Sequence, residues 1–218
     1  MTSLDRRARE QTAVREKILS AARELFVHHG YEAVSLRKIA ESIEYSAPAL
    51  YTHFADKDEI LVELCRRDFA SLAEHFHKIG RVADPVARVF QIGRAYIRFA
   101  HEYPNQYRLM FMTPDLRRVE PRQEDLDHKG NPDHDAFAFL RQAVSEAMDR
   151  GAFRSEHKDA ELLAQVLWSG VHGVASLQVS HGECPWMDWR SLERRSRTMC
   201  EALLRGLLSE RGNREFNP

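Results

Sequence analysis

Apolar residues return every three or four positions through most of this chain, and the alternation expected of strands is nearly absent. From about Thr12 to His29, the face Ile18, Ala22, Leu25 and Phe26 predicts an amphipathic helix. Gly30 follows where a left-handed C-cap residue is wanted. Ser35 is an N-cap type ahead of inward-facing Leu36, Ile39, Ala40 and Ile43. Ser46 caps a second short helix, Ala47 to His53, buried through Leu50. Pro48 is tolerated there because first-turn N–H groups have no intrahelical acceptor. Asp56, with Glu59 three residues on, opens a longer helix as a capping box. Further helices are expected over 85–101, from Pro104 through NQYRLMFM, and over 136–150, 159–180 and 191–208. Thr113 to Asp133 is polar, with three prolines and a glycine, and reads as a long loop. The expected fold is all-α. A helix-turn-helix domain covers 1–60, with residues 1–11 as a flexible basic arm, and a larger helical domain covers 61–218. The boundary falls inside the helix after Asp56, with no linker.

Composition narrows this less than the pattern does. The 218 residues are 43% hydrophobic, enough for a packed core, and the net charge of −1 favours no polyanionic partner globally. No uninterrupted apolar run reaches membrane-span length and the start MTSLDRRARE has no apolar signal region, so a cytoplasmic protein without a membrane partner is expected. Cys65, Cys184 and Cys200 are far apart and read as reduced thiols. GxSxG, GxGxxG, P-loop and HExxH patterns are all missing. No catalytic residue, cofactor or metal is therefore expected. His128, Asp133, His134 and Asp135 cluster in the polar loop, where such residues are usually only solvated.

Three short helices, the last two joined by a tight turn, make a helix-turn-helix, whose second helix fits the major groove with its N-terminus near base edges. Ser46, Ala47 and Pro48 stand at that N-terminus, small enough for close approach, and Ala47 suits a thymine methyl. Tyr51 lies one turn on along the same face, within reach of a phosphate or a base. His53 and Lys57 bracket the start of the next helix, and Ser35 and Arg37 open the preceding one; all suit phosphates. Arg6, Arg7 and Arg9 form a basic arm for the backbone or minor groove, although such an arm is also what a solvated tail looks like. Residues 1–60 hold nine Lys/Arg against ten Asp/Glu, so periodicity and charge alone also fit a plain three-helix core with a solvated surface.

The runs ILSAARELFVHHGYEAVSLRKIA and YSAPALYTHFADKDEIL make Thr12 to Glu63 resemble the N-terminal domain of the TetR family of transcriptional regulators. The resemblance implies that the helix after Ser46 enters the major groove. It also implies that Ser35, Arg37, Tyr51, His53 and Lys57 meet the DNA backbone, Tyr51 nearest to bases. One position departs: the family usually has Gly where Glu44 stands at the turn. Gly relieves strain at positive φ, and Glu adds a negative charge close to DNA. More loosely, EYPNQYRLMF, GAFR and LWSGVHG resemble the WHG class of TetR C-terminal domains, with Trp168, His172 and Gly173 as the name-giving residues.

That resemblance implies a homodimer, a small-molecule effector and a repressor released from a near-palindromic double-stranded DNA operator. The predicted dimer surface is the stripe Leu163, Leu167, Gly170, Val171 and Val174 with Leu192, Met199, Leu203 and Leu207, although such stripes are also ordinary intrachain core. The predicted effector pocket is Phe99, Tyr103, Tyr107, Met110, Phe111, Phe137, Trp168 and His172; Trp168 and His172 share a face, one turn apart. A helical interaction protein, or a metal-responsive sensor that binds no DNA in the free state, is the competing reading.

Overall fold

Side-chain caps decide where most of the helices begin. The computed structural model describes residues 3–80, 82–113 and 123–218. Within them the chain forms α1 (Ser3–His29), α2 (Leu36–Ser42), α3 (Ala47–Tyr51), α4 (Lys57–His77), α5 (Pro85–Glu102) and α6 (Pro104–Met112). These are followed by α7 (Gln123–His128), α8 (Ala136–Asp149), α9 (Ala160–His181), α10 (Leu192–Leu207) and α11 (Glu210–Glu215). The Asp84 carboxylate accepts from the Ala87 N–H at 2.8 Å, and the Asp159 carboxylate from the Leu162 N–H at 3.1 Å. The Asp56–Glu59 box closes: Glu59 N–H donates to Asp56 at 2.8 Å, and the Glu59 carboxylate accepts from the Ala55 N–H at 2.7 Å. Gly30 ends α1 with φ 78°.

The structure corrects the sequence reading in several places. α1 starts at Ser3, not Thr12, so Arg6, Arg7 and Arg9 lie on exposed helical turns rather than on an arm of separate conformation. Of the expected loop 113–133, residues 114–122 lie outside the described residues, and Gln123–His128 is helix α7. Both α7 and α11 are too short to show a helical period.

The chain divides into two compact units, residues 1–68 with 105–121 and residues 69–104 with 122–218. The division falls within α4 after Asp68, later than residue 60, because Leu64, Cys65 and Leu109 belong to the first unit's core. That core sets Ile18, Leu19, Ala22 and Phe26 of α1 against Leu36, Ile39 and Ala40 of α2, Leu50 of α3, and Ile60 and Leu61 of α4. Around it runs a buried charge network. Arg23 holds the buried Asp68 carboxylate through two hydrogen bonds of 2.6 and 2.8 Å, and Gln106 adds a third of 3.1 Å. Glu63 is buried and accepts from Arg66 and Arg67 at 3.1 and 2.7 Å. Burial raises the Glu63 pKa, but these arginine hydrogen bonds outweigh it, so the carboxylate sits below its usual range.

In the second unit α9 packs against α5, α8 and α10. By length and composition α9 is apolar enough to cross a membrane, unlike the expectation from uninterrupted runs. Its apolarity has a local cause: Leu163, Leu167, Val171, Val174 and Val179 face this core while Leu162, Val166 and Leu177 face outward.

Candidate functional site

α3 is under two turns long and buries only Leu50 among its large side chains, so its remaining face is free for an external partner. Ser46 caps its N-terminus with extended backbone, and its hydroxyl makes no capping hydrogen bond. Ala47 is half-buried, Pro48 is exposed, and Tyr51 is 60% exposed one turn beyond Ala47 on the same face. Leu50, at 0% exposure, fixes this helix to the core and thereby the direction in which Tyr51 points.

The flanking residues differ in how available they are. Ser35 uses its hydroxyl to cap α2, accepting from Lys38 N–H at 3.3 Å. Arg37 is exposed but bonded to Glu41 at 2.8 Å, so a phosphate must compete with a carboxylate for it. The carbonyl of His53 accepts from Arg15 at 2.8 Å, and its ring is half-buried. Lys57 corrects an expectation. It is three-quarters buried, donates to the Tyr31 carbonyl at 3.1 Å and lies 4.1 Å from the Tyr31 ring centroid. The capping box also takes up the Glu59 N–H, one of the donors at this helix start. Lys57 thus braces the loop after α1, and must leave Tyr31 to reach a phosphate.

Sequence reading missed Arg15. Its guanidinium lies 4.0 Å from the Phe54 ring centroid and holds the end of α3 through His53. The signal was present, since the helical period places Arg15 one turn before Ile18 and Leu19, on the core face. Glu44 has φ 61°, the one positive φ of a non-glycine residue among those described, and its side chain is exposed. Such a conformation costs an ordinary residue about 1–2 kcal/mol.

In the second unit Tyr96 hydrogen-bonds Nδ1 of His172 at 2.8 Å, and Trp168 meets the His172 ring edge-on at 5.9 Å. Phe137 lies 5.9 Å from Trp168. Burial holds the His172 pKa below its ordinary value. Phe99 and Tyr103 pack on each other and on His75, a residue the sequence reading did not name. Tyr107, Met110 and Phe111 belong to the other compact unit, with Tyr107 packed on Phe111 at 5.0 Å. Of the eight predicted pocket residues, Phe137, Trp168 and His172, with Tyr96, join aromatic surface to a polar pair.

The predicted dimer stripe is corrected in its α9 half. Leu163, Leu167, Val171 and Val174 are buried inside the protomer. A Cβ on Gly170 would collide with Leu203 of the same chain, so that glycine serves the packing of α9 on α10. Leu192, Met199, Leu203 and Leu207 are half-buried. The outward face of α9 is instead Leu162, Val166, Ser169, Gly173 and Leu177, and a Cβ on Gly173 would meet no atom. In the polar loop, Asp135 is spent on capping α8 and His128 stacks on His134 at 4.4 Å. Among the described residues no three His, Cys, Asp or Glu side chains gather as a metal site.

Three comparisons bear on this arrangement. Residues 18–64 match the family described as bacterial regulatory proteins, tetR family, and residues 89–205 match the tetracyclin repressor-like C-terminal domain. The HTH-type transcriptional repressor AcnR of Corynebacterium glutamicum is 29% identical over 150 residues, covering 66% of this chain and 71% of that protein. The HTH-type transcriptional activator FasR of Mycolicibacterium smegmatis is 32% identical over 98 residues, 44% of this chain and 45% of that one. Among solved structures, the TetR family transcriptional regulator PfmR of Thermus thermophilus superposes with a TM-score of 0.68 at 26% identity, covering 86% of this chain and 97% of its own.

Proposed function

The chain belongs to the TetR family, whose members are DNA-binding transcriptional regulators and not enzymes, and we propose that it is a dimeric repressor of this kind. The observation that carries the reading is α3: a short helix anchored by buried Leu50, with Ser46, Pro48 and Tyr51 exposed and Ala47 half-buried beside them. In this reading Ala47 and Pro48 approach base edges, and Tyr51 reaches a base or the backbone. Ser35, Arg37 and His53 meet phosphates on either side of the groove. One such helix reads too few bases for useful specificity. Two-fold pairing sets two of them about 34 Å apart on one DNA face, which calls for a near-palindromic operator. Pairing is assigned to the outward face of α9 around Leu162, Val166, Gly173 and Leu177. A glycine within a helix costs about 1 kcal/mol relative to alanine, and close approach of a second helix at Gly173 offsets it.

The effector reading rests on Phe137, Trp168, His172 and Tyr96, which favour an apolar molecule with one polar group able to compete for the Tyr96–His172 hydrogen bond. Such a ligand loosens DNA only by its difference in affinity for the two conformers. Repression follows AcnR rather than FasR, and the protein acts beside the chromosome in the cytoplasm. The test is stoichiometry and salt dependence on a duplex that binds. Two chains per site are expected, with affinity falling at least tenfold between about 50 and 200 mM salt. One chain per site, or affinity indifferent to salt, contradicts the reading.

A further inference from the structure

Between α9 and α10 the chain exposes the sequence Cys-Pro-Trp-Met-Asp-Trp, with Trp186 90% and Met187 51% exposed. An indole so exposed leaves one of the largest apolar surfaces available to any side chain in water. The turn is nevertheless anchored. Trp189 Nε1 donates to the carbonyl of His181 at 2.8 Å, Arg195 lies 4.6 Å from the Trp189 ring centroid, and Arg190 pairs with Asp188 at 2.6 Å. The turn is therefore tied to the end of α9, while Trp186 projects.

We propose that Trp186 docks into a groove of the second copy of this chain, so that the two protomers exchange these turns. The inference rests on the dimer reading above, in which α9 crosses its mate near Gly173. Two-fold antiparallel crossing there sets the C-terminal half of one α9 beside the N-terminal half of the other. Gly173 to His181 spans about 12 Å, and Gly173 back to Ala160 about 20 Å. Two turns follow His181, closed by Cys184 N–H on the His181 carbonyl at 3.0 Å and Met187 N–H on the Cys184 carbonyl at 3.4 Å. Each advances by up to ~7 Å, so together with the Trp186 side chain they bridge the remaining ~8 Å. At that level each protomer carries an open groove of about 760 Å³ between α8 and the start of α9. Pro132, Ala138 and Ala160 supply apolar wall, and Arg141 and Lys158 supply cations that suit an aromatic face. Glu161 pairs with Arg141 at 3.6 Å, and the Asp159 carboxylate is engaged in capping α9, so neither acid leaves an unmatched charge against the indole.

The test uses the full chain carrying Cys184→Ser. One sample carries Trp186→Cys, and a second, of different tagged length, carries Ala160→Cys. The two are mixed and mildly oxidised, and the dimer dissociation constant of Trp186→Ala is measured by sedimentation. Expected are a disulfide joining the two lengths and a dissociation constant raised about tenfold or more. Trp186 touches little of its own protomer, so Trp186→Ala should fold as wild type does. A wild-type dimer with no mixed-length disulfide and no change on Trp186→Ala overturns the exchange while leaving the dimer reading intact. A wild-type monomer overturns both.

Discussion

α3 has five residues and buries one large side chain, whereas α9 has 22 and buries seven residues along one side. In α3 the division between inward and outward is plain: Leu50 points in, and serine, proline and tyrosine point out. In α9 both sides are apolar, and Leu162 is exposed while Leu163 is buried. One residue turns a helix by about 100°, so an error of one position exchanges core for surface. A short helix with a polar face shows its role in its spacing, whereas a long helix apolar all round hides which side faces a partner.

The sharpest way to break this comparison is to change the two neighbouring leucines separately. Leu163→Ala should cost about 2–5 kcal/mol of stability, as large-to-small changes in a packed core do. Leu162→Asp should leave the protomer folded yet shift it to monomer, read by urea unfolding and light scattering. If Leu162→Asp unfolds the chain and Leu163→Ala does not, the assignment of faces is reversed. Next in size, Tyr51→Ala should weaken operator binding about tenfold or more while stability changes by less than about 0.5 kcal/mol, the usual range for an exposed site. A loss of stability matching the loss of binding would make Tyr51 part of the core rather than of the DNA face.

Glu44→Gly should stabilise the first unit by about 1 kcal/mol through relief of positive φ. It should also tighten DNA binding modestly by removing a negative charge. Glu44→Gln, which keeps the backbone strain, separates the two effects, since it should affect binding alone. The smallest effect concerns His172. Its folded pKa lies below its ordinary value, so below about pH 6.5 the unfolded chain takes up a proton that the folded chain resists. Stability should therefore decline as pH falls from about 6.5 to the folded pKa and level off below it. His172→Gln should flatten this part of the profile.

Where the physics is local, the sequence was legible. The Asp56–Glu59 box and the Gly30 cap follow from residue type and spacing, whereas the unusual turn at Glu44 was visible only through the family resemblance. What stayed hidden depends on tertiary neighbours. Lys57 has the charge of a phosphate ligand, yet Tyr31 captures it. The period places Arg15 on the core face, yet that the ring of Phe54 receives it is a tertiary fact. The predicted pocket list draws on both compact units, Tyr107 on one and Trp168 on the other. No periodicity carries that information, because it depends on where α6 returns to pack.

The central claim, that a pair of α3 helices reads DNA, is tested most directly by selecting bound sequences from a random duplex library at about 150 mM salt, close to physiological ionic strength. The account predicts enrichment of a near-palindromic site with half-sites about 34 Å apart, lost on Tyr51→Ala. Enrichment of nothing, or of a site that Tyr51→Ala binds equally well, would contradict it.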